Sequence, residues 1–273
     1  MLTKTEHLFD DATRVTPGDS RWQGRTSADY WAFVGPFGGV TAATILRAMI
    51  DHPQRSGDPL ALTVNFCAPI AEGAFDLDVR LVKANRSTQH WSVELTQGGG
   101  EVATLATAVF AERRPSWSHQ PARFPQAKPF EQIRSYPKIA MTWANQYDFR
   151  FAEGNPDFNG ATAQGEPASA FSKLWIGDRV PRKVDQLSLM SMSDAFFGRV
   201  LHARRELVPF GTVSLTTYFH ADAEDLAAED TTRVLAVADA KIFYKSYGDQ
   251  FGELWSPRGR LLATTHQIAY FKA

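Results

Sequence analysis

The stretches LTVNFCAP at residues 62–69 and LTTYFHAD at residues 215–222 share the same residue pattern, 153 positions apart. This shift places Phe66 against Phe219. In both places an apolar, helix-like segment precedes the stretch and strand-like segments follow it. The chain therefore reads as a tandem repeat of one unit, weak in identity but consistent in order.

The first unit is predicted to be a helix followed by an antiparallel meander. Residues 37–50, FGGVTAATILRAMI, combine a glycine entry with a broad apolar surface, which favours a helix. Alternation of apolar and polar residues then predicts strands, most clearly over residues 74–84. The glycines at 98–100 indicate a hairpin turn before the last strand of the unit.

The second unit is predicted to repeat this order after a break. Residues 114–142 carry several prolines and little periodicity, which is typical of a linker. Residues 187–201, LSLMSMSDAFFGRVL, then predict a second helix, and strands follow it. We expect an α+β chain with an N-terminal unit at 1–113, a linker at 114–142 and a C-terminal unit at 143–273, each helix being covered by its sheet.

The composition disfavours several classes of partner. The net charge is −1, so no global field would attract nucleic acid or an anionic membrane. No segment approaches the roughly 18 apolar residues of a membrane span. Cys67 is the single cysteine, so an internal disulfide cannot form, which fits a cytoplasmic protein. Its apolar neighbours predict a buried, inert thiol.

The common catalytic motifs are absent. The sequence has no Gly-x-Ser-x-Gly elbow, no P-loop and no Gly-x-Gly-x-x-Gly, and its seven histidines show no metal-binding spacing. The sequence therefore predicts neither a metal site nor a bound cofactor.

Three polar residues stand at unusual places in the second unit. Asp194 lies inside the apolar stretch 187–201, Thr212 opens a strand, and Gln267 interrupts the last strand, where the first unit has Ala106. Each has an ordinary alternative: Asp194 could cap a helix beginning at Ala195, Thr212 suits any strand, and Gln267 could face solvent on an edge strand. All three lie in the second unit only. A purely structural repeat has less reason for such asymmetry, so the three residues indicate a functional site.

The order FGG plus helix, LTVNFCAPI, ATAVF, SDAFF, GTVSLTTYFHAD and LLATTHQIAYF resembles the acyl-CoA thioesterase II family. The resemblance implies a double hotdog, in which a long helix is wrapped by an antiparallel sheet twice per chain. It also implies acyl-CoA as substrate and a homodimer. Asp194, Thr212 and Gln267 match the residues that activate water in the family, although Thr216 or Thr217 could replace Thr212.

Thioester hydrolysis explains these residue types. A carboxylate can take a proton from water, while a hydroxyl and an amide orient that water. Backbone N–H groups at a helix start, here the entry formed by Phe37, Gly38 and Gly39, would bind the substrate oxyanion. The linker is expected to shape the acyl pocket.

Two other functions remain open on the sequence alone. The first is an acyl-thioester hydratase or dehydratase, which would pair an aspartate with a histidine; the stretch around Asp194 has no histidine before His202. The second is a non-catalytic double hotdog that only binds acyl-CoA, which has no evident need for all three polar residues.

Overall fold

The computed structural model describes residues 7–156 and 169–272. The described part of the first half contains two α-helices, a short 3-10 helix (Ala28–Tyr30) and six strands. The α-helices and strands are α1 (Leu8–Ala12), β1 (Thr16–Pro17), β2 (Trp22–Arg25), α2 (Gly38–Ile50), β3 (Asp58–Phe66), β4 (Ala74–Ala84), β5 (Thr88–Thr96) and β6 (Val102–Ala111). The helix predicted over 37–50 and the strand predicted over 74–84 are confirmed. So is the glycine turn, where Gly98 and Gly99 adopt positive φ between β5 and β6.

The second half repeats this arrangement with additions. Its described elements are β7 (Tyr147–Glu153), β8 (Ser172–Asp178), α3 (Gln186–Met192), α4 (Arg199–Arg204), β9 (Phe210–Phe219), α5 (Ala223–Glu229), β10 (Arg233–Asp239), β11 (Phe243–Tyr244), β12 (Tyr247–Trp255) and β13 (Leu261–Phe271). Within the described residues, no helix is long and apolar enough to cross a membrane.

All the described strands join one sheet. Its order is β1-β2-β4-β5-β6-β3-β9-β13-β12-β10-β8-β7, with β11 paired to β12. The halves meet where β3 pairs antiparallel with β9, and Thr63 lies opposite Thr216, which is its equivalent in the repeat. Their hydroxyl oxygens lie 2.9 Å apart. Because equivalent residues face each other, a pseudo-twofold axis passes through this pair.

The sheet encloses the central helices. Ten of the thirteen residues of α2 are buried, as are all seven residues of α3. A helix that is apolar and buried around its circumference must be covered on every side. Strand residues such as Leu62, Val93 and Leu215 form a continuous core with these helices, so the core lies between the wrapped sheet and the two helices.

The segment 114–142 does not have the role expected of it. Phe124, Phe130 and Ile133 pack against a cluster formed by Trp175, Leu235 and Trp255 on β8, β10 and β12. The Trp175 indole N–H also donates to the Lys128 carbonyl at 2.9 Å. Of this segment only Met141 lines the cavity that also contains Asp194. The expectation that the linker shapes the acyl pocket is therefore wrong for most of its length.

The second predicted helix is interrupted. In place of one helix over 187–201, α3 ends at Met192 and α4 begins at Arg199. The Ser193 hydroxyl donates to the Leu189 carbonyl at 2.7 Å, a type of bond that bends helices. Gly198, a poor helix former, is the N-cap residue of α4. The break leaves the backbone of 193–198 irregular and places Asp194 within it.

Candidate active site

A cavity of about 390 Å³ opens beside this helix break. Most of its lining is apolar, as in pockets for small ligands. Asp194, Thr212 and Gln267 all contribute to the lining, together with the apolar side chains of Phe37, Phe66, Trp143, Phe196, Phe197 and Phe210. The structure thus brings together, in one cavity, the three polar residues selected from the sequence.

Asp194 is held in the break by a backbone contact with the first half of the chain. Its side chain is buried, and the backbone N–H of Gly39, at the start of α2, hydrogen-bonds the carboxylate. Burial raises the pKa of Asp194 to about 7, and the Gly39 hydrogen bond opposes this shift. Its expected alternative role as the N-cap of a helix beginning at Ala195 is wrong, because no described helix begins there.

Thr212 and Gln267 form a hydrogen-bonded pair on neighbouring strands. The Thr212 hydroxyl donates to Gln267 Oε1 at 2.9 Å. This contact fixes the amide orientation, because Oε1 faces the hydroxyl and Nε2 points away from it. The alternative that Gln267 faces solvent on an edge strand is wrong, since β13 lies between β9 and β12 and Gln267 is buried.

The competing threonines lie outside the cavity. Thr216 contacts Thr63 at the pseudo-twofold axis. Thr217 is fully buried, and its hydroxyl has no hydrogen-bond partner in the described part of the chain. Neither lines the cavity, whereas Thr212 does. The geometry therefore favours Thr212 as the hydroxyl of the site.

The start of α2 forms the wall of the cavity next to Asp194. Phe37 and Gly38 line the cavity, and a Cβ atom added to Gly38 would lie 2.7 Å from Asp194 Oδ2. Gly39 does not line it; a Cβ there would lie 2.5 Å from the Ser191 carbonyl oxygen. The glycines therefore let α2 approach the helix break closely, and the site contains parts of both halves.

The match between Gln267 and the first unit needs one correction. Gln267 lies opposite Leu215 on β9, whereas Leu62, the equivalent of Leu215, lies opposite Ala108 on β6. Strand register therefore makes Ala108, not Ala106, the counterpart of Gln267. Both are alanines, so the polar set still belongs to the second unit.

Sequence reasoning misjudged or missed three other residues near the cavity. Cys67 is exposed and lines the cavity, so the expectation of a buried thiol is wrong; β3 ends at Phe66, before its alternation could bury the next side chain. Arg199 and Gln250 are buried polar residues of the lining and were not singled out. Gln250 could have been found as the one large polar residue between Gly248 and Gly252 on the inward face of β12.

Within residues 7–156 and 169–272, no three histidine, cysteine, aspartate or glutamate side chains cluster closely enough to hold a metal ion. His202, the histidine next to Arg199, is buried outside the cavity lining, and burial lowers its pKa to about 3.

Two family models match the chain almost end to end. The acyl-CoA thioesterase N-terminal domain matches residues 27–111, and the acyl-CoA thioesterase C-terminal domain matches residues 114–271. The chain belongs to the acyl-CoA thioesterase family. The resemblance seen in the sequence is thereby confirmed.

Solved structures show the same fold. A hot dog fold protein of unknown function from Alicyclobacillus acidocaldarius is 42% identical, with 98% of this chain and 99% of that chain covered and a TM-score of 0.91. A putative thioesterase II from Thermobifida fusca YX is 18% identical, with 98% and 99% covered and a TM-score of 0.82. An acyl-CoA thioesterase II from Mycobacterium marinum is 17% identical, with 97% and 98% covered and a TM-score of 0.75.

These relatives confirm the double-hotdog, α+β architecture for this thioesterase-family chain. The comparison with curated proteins finds no match.

Proposed function

We propose that the protein hydrolyses the thioester of acyl-CoA to a free acid and CoA, using water activated by Asp194, Thr212 and Gln267. The observation that carries the proposal is the convergence of a buried carboxylate and a Thr–Gln pair in one largely apolar cavity. Family membership agrees with this chemistry.

Asp194 suits the role of general base. A pKa of about 7 lies close to neutral pH, where a base is both substantially ionised and able to accept a proton in the transition state. Burial is the cause of this raised pKa. The same desolvation makes the ionised carboxylate unfavourable for folding and more basic towards water.

The Thr212–Gln267 pair suits the orientation of water. The Thr212 hydroxyl proton is committed to Gln267 Oε1, so its lone pairs can accept from water, while Gln267 Nε2 can donate to the same water. A water that donates to Asp194 and Thr212 and accepts from Gln267 keeps one lone pair for the thioester carbon. Such orientation lowers the entropic cost of the attack.

The start of α2 suits the oxyanion. Gly39 already donates its N–H to Asp194, whereas the Gly38 N–H has no hydrogen bond within the described part of the chain. Gly38 also lines the cavity. The positive end of the helix dipole and this free donor would stabilise negative charge on the carbonyl oxygen.

The hydratase or dehydratase alternative is less well supported. That chemistry would need a histidine beside the aspartate, and no histidine lines the cavity in the described residues. Simple binding of acyl-CoA would not explain the Thr212–Gln267 pair beside a carboxylate of raised pKa.

The homodimer and the cytoplasmic location stay predictions. Light scattering coupled to size-exclusion chromatography would test the homodimer.

A thiol-release assay tests the proposal directly. Acyl-CoA substrates from short to long chain should release free CoA with the native protein and almost none with Asp194→Asn. Absence of release from every chain length, or equal release by the variant, would contradict the proposed function or the role of Asp194, respectively.

A further inference from the structure

The wall of the cavity formed by α4 and β12 carries a polar pair that the proposed chemistry does not use. Arg199 is 3% exposed and Gln250 is 4% exposed, yet both line the cavity. The Arg199 Nε–H donates to Gln250 Oε1 at 3.2 Å. An apolar acyl chain alone gives no reason to bury these groups, because desolvating a guanidinium and an amide is costly.

Arg199 is a buried cation whose described hydrogen-bond partners are all neutral. Its N–H groups contact five neutral acceptors: the carbonyls of Phe197 and Ala170, the Ser172 hydroxyl, the Gln250 amide oxygen and the His202 ring. None of these hydrogen bonds, which join described residues, goes to a carboxylate.

Asp239 and Asp194 do not form an ion pair with this cation. Asp239 favours the charged form of Arg199 only through space, and burial still lowers the pKa of Arg199 to about 9. Asp194, which lines the same cavity, is influenced by burial and by Gly39 and not by Arg199. Among residues 7–156 and 169–272, the charge is therefore held by neutral dipoles, and Asp239 is the carboxylate that acts on it, through space.

Gln250 has an unused donor whose direction is set by Arg199. Because Oε1 accepts from the guanidinium, Nε2 must occupy the other end of the amide. Nε2 is buried and has no hydrogen-bond partner among residues 7–156 and 169–272. A buried donor left unpaired is costly, and an acceptor on a ligand in the cavity that Gln250 lines would pair with it.

The strand register places this donor close to the reacting centre. Gln250 lies directly opposite Gln267 in the β12–β13 ladder, and both side chains are on the buried face. Directly opposite residues in antiparallel strands have Cβ atoms roughly 5 Å apart. An acceptor bound to Gln250 would thus sit only a few carbons from a thioester held at Gln267.

We propose that Gln250, backed by Arg199, forms a subsite for a carboxylate carried on the acyl group a few carbons from the thioester. The Gln250 amide donates directly to that carboxylate. Arg199 orients the amide, and its positive charge balances the carboxylate without contacting it. The favoured substrates are then short dicarboxylic acyl-CoA esters. This inference rests on the proposed thioesterase function.

Matched pairs of substrates test the subsite. Glutaryl-CoA and pentanoyl-CoA share five acyl carbons, and adipoyl-CoA and hexanoyl-CoA share six, so only the terminal carboxylate differs within each pair. A hydrogen bond to a charged group is worth enough for about a tenfold preference in kcat/KM for the carboxylated member of at least one pair. Equal rates within both pairs, or faster cleavage of the plain esters, would overturn the proposal.

Two variants separate this specificity from a general structural effect. Gln250→Leu removes the donor at similar volume, and Gln250→Glu places an anion against Arg199. We expect Gln250→Leu to lower the carboxylated-to-plain ratio about tenfold and Gln250→Glu to lower it further. A variant that slows both members of a pair equally leaves the ratio unchanged and would contradict the subsite.

Calorimetric titration of the Asp194→Asn protein with the same esters separates this inference from the proposed function. If no ester is hydrolysed by the native protein but glutaryl-CoA or adipoyl-CoA binds more tightly in a manner that depends on Gln250, the subsite stands and the hydrolase proposal fails. If all esters are hydrolysed without preference and bind equally, the hydrolase proposal stands and the subsite fails.

Discussion

Replacing Asp194 with asparagine should stabilise the protein while removing its activity. Asparagine has nearly the same shape, and its side-chain oxygen can still accept from the Gly39 N–H. The substitution removes the ionisation and replaces one carboxylate oxygen by an NH₂ group. In the folded protein that ionisation is unfavourable, because burial raises the pKa of the carboxyl group.

The size of the expected stabilisation follows from the pKa shift of Asp194. The pKa rises from 3.8 to about 7, and at roughly 1.4 kcal/mol per unit the ionised carboxylate costs at most ~4 kcal/mol of folding free energy. Water in the cavity would lower this cost. We therefore expect Asp194→Asn to raise the free energy of unfolding by about 2 kcal/mol, or the Tm by about 4 °C for a chain of this size. Activity should fall by a factor of about 10² to 10⁴ when the general base is lost.

The stability difference between the native protein and Asp194→Asn should depend on pH, in a direction set by the raised pKa. Below pH 3.8 the carboxyl group is protonated in both states, so Asp194 and its asparagine variant should have similar stability. Between pH 3.8 and about 7 the folded state holds a proton that the unfolded state has lost, so native stability falls as pH rises. Above pH 7 the cost is complete, and the difference in Tm reaches its maximum.

The assay is thermal unfolding of both proteins from pH 4 to pH 8, combined with CoA release at pH 8. Asp178→Asn is the matched control, because burial also raises the pKa of Asp178 to about 7 although this residue does not line the cavity. It should gain stability and keep turnover. A difference in Tm that does not change with pH, or a less stable Asp194→Asn protein at pH 8, would refute the reasoning.

The other predictions concern the rest of the site. The kcat/KM of the native protein should fall about tenfold per pH unit below pH 7, since Asp194 must be ionised to act as base; a flat profile from pH 5 to pH 8 would contradict this. Gln267→Ala should lower kcat more than it raises KM, as steady-state kinetics would show. Thr212→Val should slow turnover, whereas Thr217→Val removes an unpaired buried hydroxyl and should leave turnover intact while raising Tm. Gly38→Ala would place a methyl group against the Asp194 carboxylate, so CoA release should drop strongly without unfolding visible by circular dichroism.

The sequence predicted the fold well because its periodicity is local and repeated. The alternation over residues 74–84 and the apolar run over 37–50 depend on near neighbours, so strand β4 and helix α2 follow from them directly. The 153-residue shift indicated two units, and the pairing of Thr63 with Thr216 shows the same shift in space.

The errors occurred where long-range packing decides the conformation. The break after Met192 depends on Ser193, on Gly198 and on the approach of α2, and a continuous apolar pattern hides it. Cys67 looked buried because its neighbours are apolar, but the strand ends one residue earlier.

The site was only partly predictable for the same reason. Asp194, Thr212 and Gln267 stood out as polar residues in apolar surroundings, and the resemblance linked them. Arg199 lies in the same apolar stretch as Asp194 and was overlooked, and the importance of Gln250 depends on a strand pairing that only the structure provides.

The pseudo-twofold axis through Thr63 and Thr216 has a consequence for how such a protein can change. In a pair of identical units every substitution appears twice, once on each side of the axis, and must be tolerated in both places. Here one chain carries both units, so the carboxylate is present on one side and the glycine-rich helix start that faces it on the other. Each side has become free to specialise, and a single site per chain can be adjusted without a compensating change in its mirror position.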